Sequence, residues 1–330
     1  MLTARRFGTP VNNLTVLEKI IKVLRCYLLL GICVISVNCN STAQKSKYSI
    51  SHPLKLSGIN SKVISDLDIT GDTSNCISLN QCSNITIQNC RLRNSAKIGI
   101  NILNCKNIKI INCYFEQVAT GVYVFKSQQV NVRQNQFKNM QGPFPRGQMV
   151  QFDEVTGAGN KISDNIGENL PGKSLPEDAI NLYKTTGTAT SPVEVIGNRI
   201  RGGGPSKTGG GIMLGDNGGG FSIAKNNILV DPGQYGIAIA GGTHISVINN
   251  NIYGRRQPFT NVGIYVWNQH TSACALNVVQ GNLVNFKSAD GASNPGWNQG
   301  NCGKVYGWEN NDWNAPINAS MLPKQLFAVQ

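Results

Sequence analysis

Short runs of alternating apolar and polar residues recur along most of the chain. They read NITIQNCRL (84–92), NIKIINCYF (107–115), VNVRQNQF (130–137), VEVIGNRI (193–200), FSIAKNNI (221–228) and ISVINNNI (245–252). Each is a short strand that runs into Asn or Cys and then into an aliphatic residue or Phe. A period of two puts one side of every strand on a core and the other toward solvent. With Cys90, Cys113, Asn135, Asn165, Asn198, Asn226, Asn250 and Asn282 as anchors, the steps are 23, 22, 30, 33, 28, 24 and 32 residues, the longer ones carrying insertions. Between anchors lies a second strand: GINI (99–102), GVYV (121–124), AINL (179–182), GIML (211–214), GIAI (236–239) and GIYV (263–266). Helical periodicity is absent from these segments, and Asn or Gly marks the corners. The pattern predicts an all-β solenoid of stacked rungs, each built from several short strands.

Corner chemistry supports that prediction. Asn tolerates left-handed backbone and can hydrogen-bond the amide of the next rung. Stacking also places Cys82 over Cys105 and Cys90 over Cys113, within disulfide reach at a strand spacing of about 4.8 Å. A ladder of buried thiols is the favoured expectation, because Cys packs as a small hydrophobe. From about residue 60 to 285 the chain resembles the right-handed parallel β-helix of the pectin-lyase-like superfamily, which implies eight to nine rungs and supplies the handedness. Residues 44–60 then form an N-terminal cap and 286–330 a C-terminal cap or sugar-binding extension, with Trp297, Trp308 and Trp313, and Cys274 placed to pair with Cys302.

In the GIxI strands the aliphatics point inward, so the residues between them form an exposed face. Its first column is Ser78, Asn101, Tyr123, Gln151, Asn181, Met213, Ala238 and Tyr265; its second is Asn80, Leu103, Phe125, Asp153, Tyr183, Gly215, Ala240 and Trp267. Aromatic rings beside amides and a carboxylate suit a sugar chain. The insertions 141–160, 166–178, 201–210 and 254–262 border the same strands, where loops on a rigid scaffold commonly carry function. The last puts Arg255 and Arg256 beside Tyr265 and Trp267, where a guanidinium can grip a carboxylate or sulfate.

Carboxylates near this face are Asp153, Glu154, Glu177, Asp178 and Asp216. Asp153 and Asp216 share almost the same offset two rungs apart, roughly 10 Å between backbones, close to an inverting glycosidase's spacing. They are the first acid/base candidates, with Asp178 in reserve and too far along the strand to cooperate with Asp153. A lyase would need a base and a cation instead, for which Tyr183, Lys184, Arg255, His244 and His270 are available. Tyr123, Gln151, Asn181, Tyr183, Lys184, Arg255, Arg256, Tyr265 and Trp267 are the candidate substrate-binding residues. The Asp-Asp and Gly-His-Gly signatures of polygalacturonases are absent, although PEDAINLY (176–183) distantly resembles the former. The Asp-Pro-His-Asp motif of alginate epimerases is also missing. The resemblance therefore implies a fold and a ligand class, and no catalytic residue carries over.

Composition narrows the rest. Of 330 residues only 14% are charged, which argues against helical bundles, and 40% are hydrophobic, enough for a core. The longest apolar run, Cys26–Val37, is short for a bilayer span but suits a signal-peptide core, with Lys19, Lys22 and Arg25 before it and Ser41-Thr42-Ala43 as a cleavage site. Lipid attachment at Cys39 and an uncleaved anchor are the alternatives. A secreted, periplasmic or cell-surface location is expected, with membrane contact only through this segment. The formal charge of +13 falls to +9 if residues 1–43 are removed, and a basic exported chain attracts acidic polysaccharide. GGGPSKTGGG (202–211) is not a phosphate loop, because Ser206 precedes Lys207 where that motif needs Gly. Without a basic cluster or recognised module, no nucleic-acid partner is expected. The chain reads as a monomer. No acidic cluster has the form of a calcium loop and no cofactor is required, although separate rungs can still assemble a Ca2+ site. Two functions follow: an enzyme cleaving a glycan, acidic by its charge, through hydrolysis or elimination, or a non-catalytic glycan-binding or surface structural protein.

Overall fold

The structure, a computed structural model, describes residues 48–327; the expected leader and Cys26, Cys33 and Cys39 lie outside the described residues. Within them the chain winds through three faces per turn. The back-face strand Ser83–Gln88 leads into Arg91–Leu103, which runs along the side face and continues into the front face, and Lys106–Ile111 then returns to the back. All pairing between successive turns is parallel, as in Ser83↔Lys106 on the back and Ile100↔Val122 on the front. The back forms one eleven-stranded sheet. The side and front fuse into an eighteen-stranded sheet, because Arg91–Leu103 and Tyr114–Phe125 each run through both. Strand pairing extends into both segments read as caps: Leu54–Ser57 pairs with Ile77–Asn80, and Gly296–Asn298 with Ile264–Val266. Among the described residues the only helical elements are two short 3-10 turns, Trp308–Asn310 and Ala319–Met321. No helix among them is long and apolar enough to cross a membrane.

The core is the inward half of each alternation. Ile85, Ile108, Val130, Ile162 and Val195 are fully or almost fully buried on the back, and Ile100, Val122, Val150, Ile180 and Ile212 on the front. Like residues stack on like, as in Phe115 on Phe137 with ring centroids 4.7 Å apart. Such stacking leaves few voids and buries apolar area in every turn.

The side-face corner divides its work between two adjacent positions. The first is left-handed: Asn89, Asn112, Gln134, Asp164, Asn226 and Asn249 have φ of 52–56°, with Gly197 and Gly281 in the same place. The second is buried and carries the ladder. Asn135 Nδ2 donates to Asn165 Oδ1 (3.1 Å), Asn165 to Asn198 (2.9 Å), Asn198 to Asn227 (2.9 Å), Asn227 to Asn250 (2.9 Å) and Asn250 to Asn282 (2.9 Å). The sixth anchor is thus Asn227 rather than Asn226, because Asn226 takes the turn. One Asn cannot do both jobs, since the ladder side chain must point inward while the left-handed residue faces out.

Cys90 and Cys113 occupy the first rungs of this ladder, and the Cys113 N–H donates to Asn135 Oδ1 (2.9 Å). Cys82 and Cys105 hold the equivalent place at the front-to-back corner, with the Cys82 N–H 3.3 Å from Cys105 Sγ. All four are buried free thiols, while Cys274 and Cys302 form a disulfide. Beyond the last strands, Trp308 and Trp313 pack against the end of the core with ring centroids 4.6 Å apart.

The front-face cleft as candidate functional site

On the front face the first predicted column is in register. Ser78, Asn101, Tyr123, Gln151, Asn181, Met213, Ala238 and Tyr265 pair successively. The second column departs from expectation at one level. Tyr183 pairs with Asp216 rather than with Gly215, because the register shifts between Asn181 and Tyr183. Gly215 absorbs the extra residue at φ 66°, and a Cβ there would lie 2.0 Å from the Gly241 carbonyl oxygen. Asp153, Tyr183 and Asp216 therefore stand in one column on three successive levels.

Insertions wall this face into a cleft of about 520 Å³. Phe144, Pro145 and Arg146 form one side, Thr208 another, and Gln269 with His270 a third, over a floor containing Asp178, Asn181 and Asp216. Asn181 joins two carboxylates: its Nδ2 donates to Asp178 Oδ2 (2.8 Å) and to Asp216 Oδ2 (3.0 Å). One amide nitrogen serving both holds those oxygens within about 6 Å of each other. Asp178, Gly210 and Tyr235 occupy equivalent places, each two residues before a paired inward isoleucine, on three successive levels. Accordingly the Gly210 N–H (3.1 Å) and the Tyr235 hydroxyl both donate to Asp178 Oδ1. Any Cβ on Gly210 would strike the Tyr235 carbonyl and ring, so glycine permits this approach. The glycines of 209–211 thus serve close stacking between levels.

Burial dominates the electrostatics. It raises the Asp178 carboxyl to about 7, against the lowering effect of the Tyr235 and Asn181 hydrogen bonds. Burial also raises Asp153, whose Oδ2 accepts from the Tyr123 hydroxyl at 2.6 Å. Tyr123 in turn is pushed up to about 12 by burial and by Asp153. Asp216 has His270 Nε2 3.4 Å from its Oδ1.

The front face thus brings Asp216 together with Asp178 through Asn181, while Asp153 sits apart, bonded to Tyr123. Asp178 precedes its strand, so its side chain escapes the alternation that governs Asp153. Gln151 and Tyr183 line the cleft, and Gln151 Oε1 accepts from Arg146 at 2.9 Å. The other expected binding residues fare differently. Tyr265 is only 6% exposed, with its ring against Tyr235, so it offers no free face. The Tyr123 ring is covered by the Arg146 guanidinium, 4.3 Å from its centroid. Lys184 takes the left-handed corner, φ 44°, which carries its side chain to a separate depression with Lys126 and Glu154. Arg255 pairs with Asp231 (3.1 Å) and Arg256 donates to the Ala289 carbonyl (2.8 Å), and neither lines the cleft. Trp267 lies beyond the cleft, and His244 stacks on Phe221 on the back face.

Arg146 and Tyr235 escaped the sequence reading. Counting two residues back from each inward isoleucine would have found Tyr235; the insertion carrying Arg146 has no periodicity to betray it. Among the described residues no group of three or more His, Cys, Asp or Glu side chains could hold a metal ion.

Comparison with known proteins bears on the architecture. Residues 56–184 match the family described as right handed beta helix region. No curated protein matches the chain. The catalytic domain of a GH87 alpha-1,3-glucanase in complex with nigerose superposes with a TM-score of 0.50 at 14% identity, covering 79% of this chain and 56% of the glucanase domain. The surface adhesin PfbA of Streptococcus pneumoniae gives 0.35 at 10% identity over 74% of this chain and 81% of its own. The Dettilon tailspike protein gives 0.34 at 12% identity over 77% and 62%. This chain thus spans little more than half of the glucanase domain, and at such identities the likeness speaks for the fold. Strand pairing, the matched segment and the glucanase superposition agree on one architecture: the chain is a right-handed parallel β-helix.

Proposed function

We propose that the chain is a glycoside hydrolase that cleaves a neutral polysaccharide in the front-face cleft, working outside the cell or at its surface. The observation that carries this reading is the sharing of Asn181 by Asp178 and Asp216, one carboxyl buried and raised to about 7, the other without that burial. Glycoside hydrolysis uses two carboxyl groups in different environments, one of them an acid that holds its proton near neutrality. Asp178 donates a proton to the leaving glycosidic oxygen. Asp216 acts as base or nucleophile, and Asn181 keeps the two oriented. Asp153 and Gln151 supply hydrogen bonds to sugar hydroxyls.

Charge favours a neutral over an acidic glycan. Beside the proton-holding Asp178, the carboxyl groups of Asp153, Glu177 and Asp216 line the cleft against Arg146 and His270, a surplus that disfavours a polyuronate. The basic surplus that suggests an acidic ligand lies elsewhere, for instance at Lys106, Lys109 and Arg133 on the back. Of the parts elimination would use, Lys184, Arg255 and His244 stand outside the cleft, while Tyr183 and His270 line it. Extracellular placement is supported by the leader pattern and by the Cys274–Cys302 disulfide, which suits an oxidising compartment.

The test is reducing-end release by residues 44–330 from α-1,3-glucan, mannan, xylan and polyuronates. Release from a neutral polymer, lost in Asp178→Asn and Asp216→Asn, is expected. Full turnover by both variants, or an absorbing unsaturated uronyl product, would overturn the reading.

A further inference from the structure

Past the cleft, the front face ends in two exposed indoles. Trp267 is 40% and Trp297 41% exposed, with ring centroids 5.8 Å apart and planes at 67°. Large exposed aromatics in a pair, on the face that carries the carboxylates, call for an explanation. Trp297 stands in register with Tyr265, three strand levels beyond Asp216, or about 14 Å along the axis.

Two features show that this pair is built into the site. The first is continuity. The Trp267 N–H donates to the Ile239 carbonyl (2.9 Å) and the Gln269 N–H to the Ala240 carbonyl (3.0 Å). The segment from Trp267 to His270 therefore folds back along the axis and delivers His270 to Asp216. One short piece of chain has an indole at one end and a wall of the cleft at the other.

The second feature is bracing. Trp267 and Trp297 belong to different turns, and their segments are tied twice. The Asn268 N–H donates to Asn301 Oδ1 (2.9 Å) while Asn301 Nδ2 donates to the Asn268 carbonyl (3.0 Å). A few residues further along both segments, the Cys274–Cys302 disulfide closes the loop. Neither tie buries the indoles. Both fix the spacing between them, which lowers the entropy lost when a ligand settles on the pair.

We propose that Trp267 and Trp297 form a rigid sugar-stacking platform that receives the chain of a neutral polysaccharide as it leaves the cleft. The proposal rests on the hydrolase reading and deepens it, since it makes the substrate a polymer long enough to cover both cleft and platform. Apolar C–H faces of pyranose rings lie on the indoles, and the platform contributes affinity without touching the reacting bond.

The experiment measures two quantities on the wild type, Trp267→Ala, Trp297→Ala, Trp297→Phe and Asp178→Asn. One is kcat/KM against oligosaccharides of increasing length from the neutral polymer that is cleaved. The other is retardation of each protein in native gels containing α-1,3-glucan, mannan or xylan. Either alanine variant should lose about tenfold on long chains, through KM, and nothing on the shortest substrates. Trp297→Phe should recover part of the loss, with melting temperatures unchanged because the rings are exposed. Asp178→Asn should keep full retardation while cleavage disappears. Unchanged chain-length dependence and unchanged retardation in both alanine variants would overturn the platform and leave the hydrolase standing. Tryptophan-dependent retardation in a wild type that cleaves nothing would sustain the platform and overturn the hydrolase. No retardation by any of the polymers overturns the platform outright.

Discussion

The side-face corner and the front-face cleft both depend on buried asparagines and use them in opposite ways. At the corner, Asn165, Asn198, Asn227 and Asn250 each give Nδ2 to the next Asn and to a backbone carbonyl, while Oδ1 accepts from the turn below. Each amide is satisfied by copies of itself. In the cleft, Asn181 is equally buried, at 4% exposed, but its Nδ2 serves two carboxylates from different levels and its Oδ1 has no partner among the described residues. Repetition thus saturates polar groups and yields rigidity. Breaking the repeat, by insertions and the Gly215 bulge, leaves polar groups whose partners are unlike one another. That second condition is the one from which perturbed acids arise.

The largest contrast comes from substituting the two regions in turn. Asp216→Asn should cut glycan turnover by about 10²- to 10⁴-fold with little change in melting temperature, read by reducing-end assay and calorimetry. Asn198→Ala should do the reverse. It strands the Asn165 N–H and side-chain amide (3.1 and 2.9 Å partners) at a cost of about 2–4 kcal/mol. Melting should fall by several degrees while kcat at low temperature is kept.

A smaller effect separates the regions by pH. Asp178 binds its proton more tightly folded than unfolded, since its carboxyl is raised to about 7. Its contribution to stability is therefore complete below the unfolded carboxylate value near 4 and is lost as pH climbs through about 7. Asp178→Asn should melt above the wild type at pH 8, with the gap closing toward pH 4, whereas the melting change in Asn198→Ala should carry no such pH dependence. Activity, which needs protonated Asp178, should fall as pH rises through about 7. The smallest effect is expected for Tyr235→Phe. Its hydroxyl favours ionised Asp178, so its loss should move the alkaline limb of the pH–rate profile to higher pH, with kcat on the plateau changed only a few-fold.

Most of the fold could be read from the residues, and the reason is periodicity. Alternation named the inward positions, and repetition aligned the first front column from Ser78 to Tyr265 without error. Whereas the pairing of Cys274 with Cys302 has no repeat behind it, the same logic stacks Cys82 on Cys105 and Cys90 on Cys113 as free thiols. It misplaced Asn226 by one position, because two adjacent asparagines fit the turn and the ladder equally well until packing decides which side chain points inward. The cleft was legible only in part. The outward pattern singles out Asp216, Asn181 and Asp178, but it pairs Asp216 with Asp153, whereas Asn181 joins it to Asp178.

By itself, then, the sequence determined what repeats: strands, corners, core and the residues facing outward on each turn. A repeat repeats its environment, so one rung predicts the next. Only the tertiary structure decided what the interruptions do. It closed Tyr265 against Tyr235, turned Lys184 and the two arginines away, slid Asp216 into the Tyr183 column at Gly215, and hung Asp178 between Tyr235 and Asn181. Most of these depend on contacts between residues far apart in the chain, such as Gly210 with Asp178, Asn217 with Tyr183 and Tyr235 with Asp178, 32, 34 and 57 positions apart, reached through insertions of irregular length. Local alternation carries no information about such contacts, because the path of an insertion is set by the three-dimensional packing it meets and not by its own pattern.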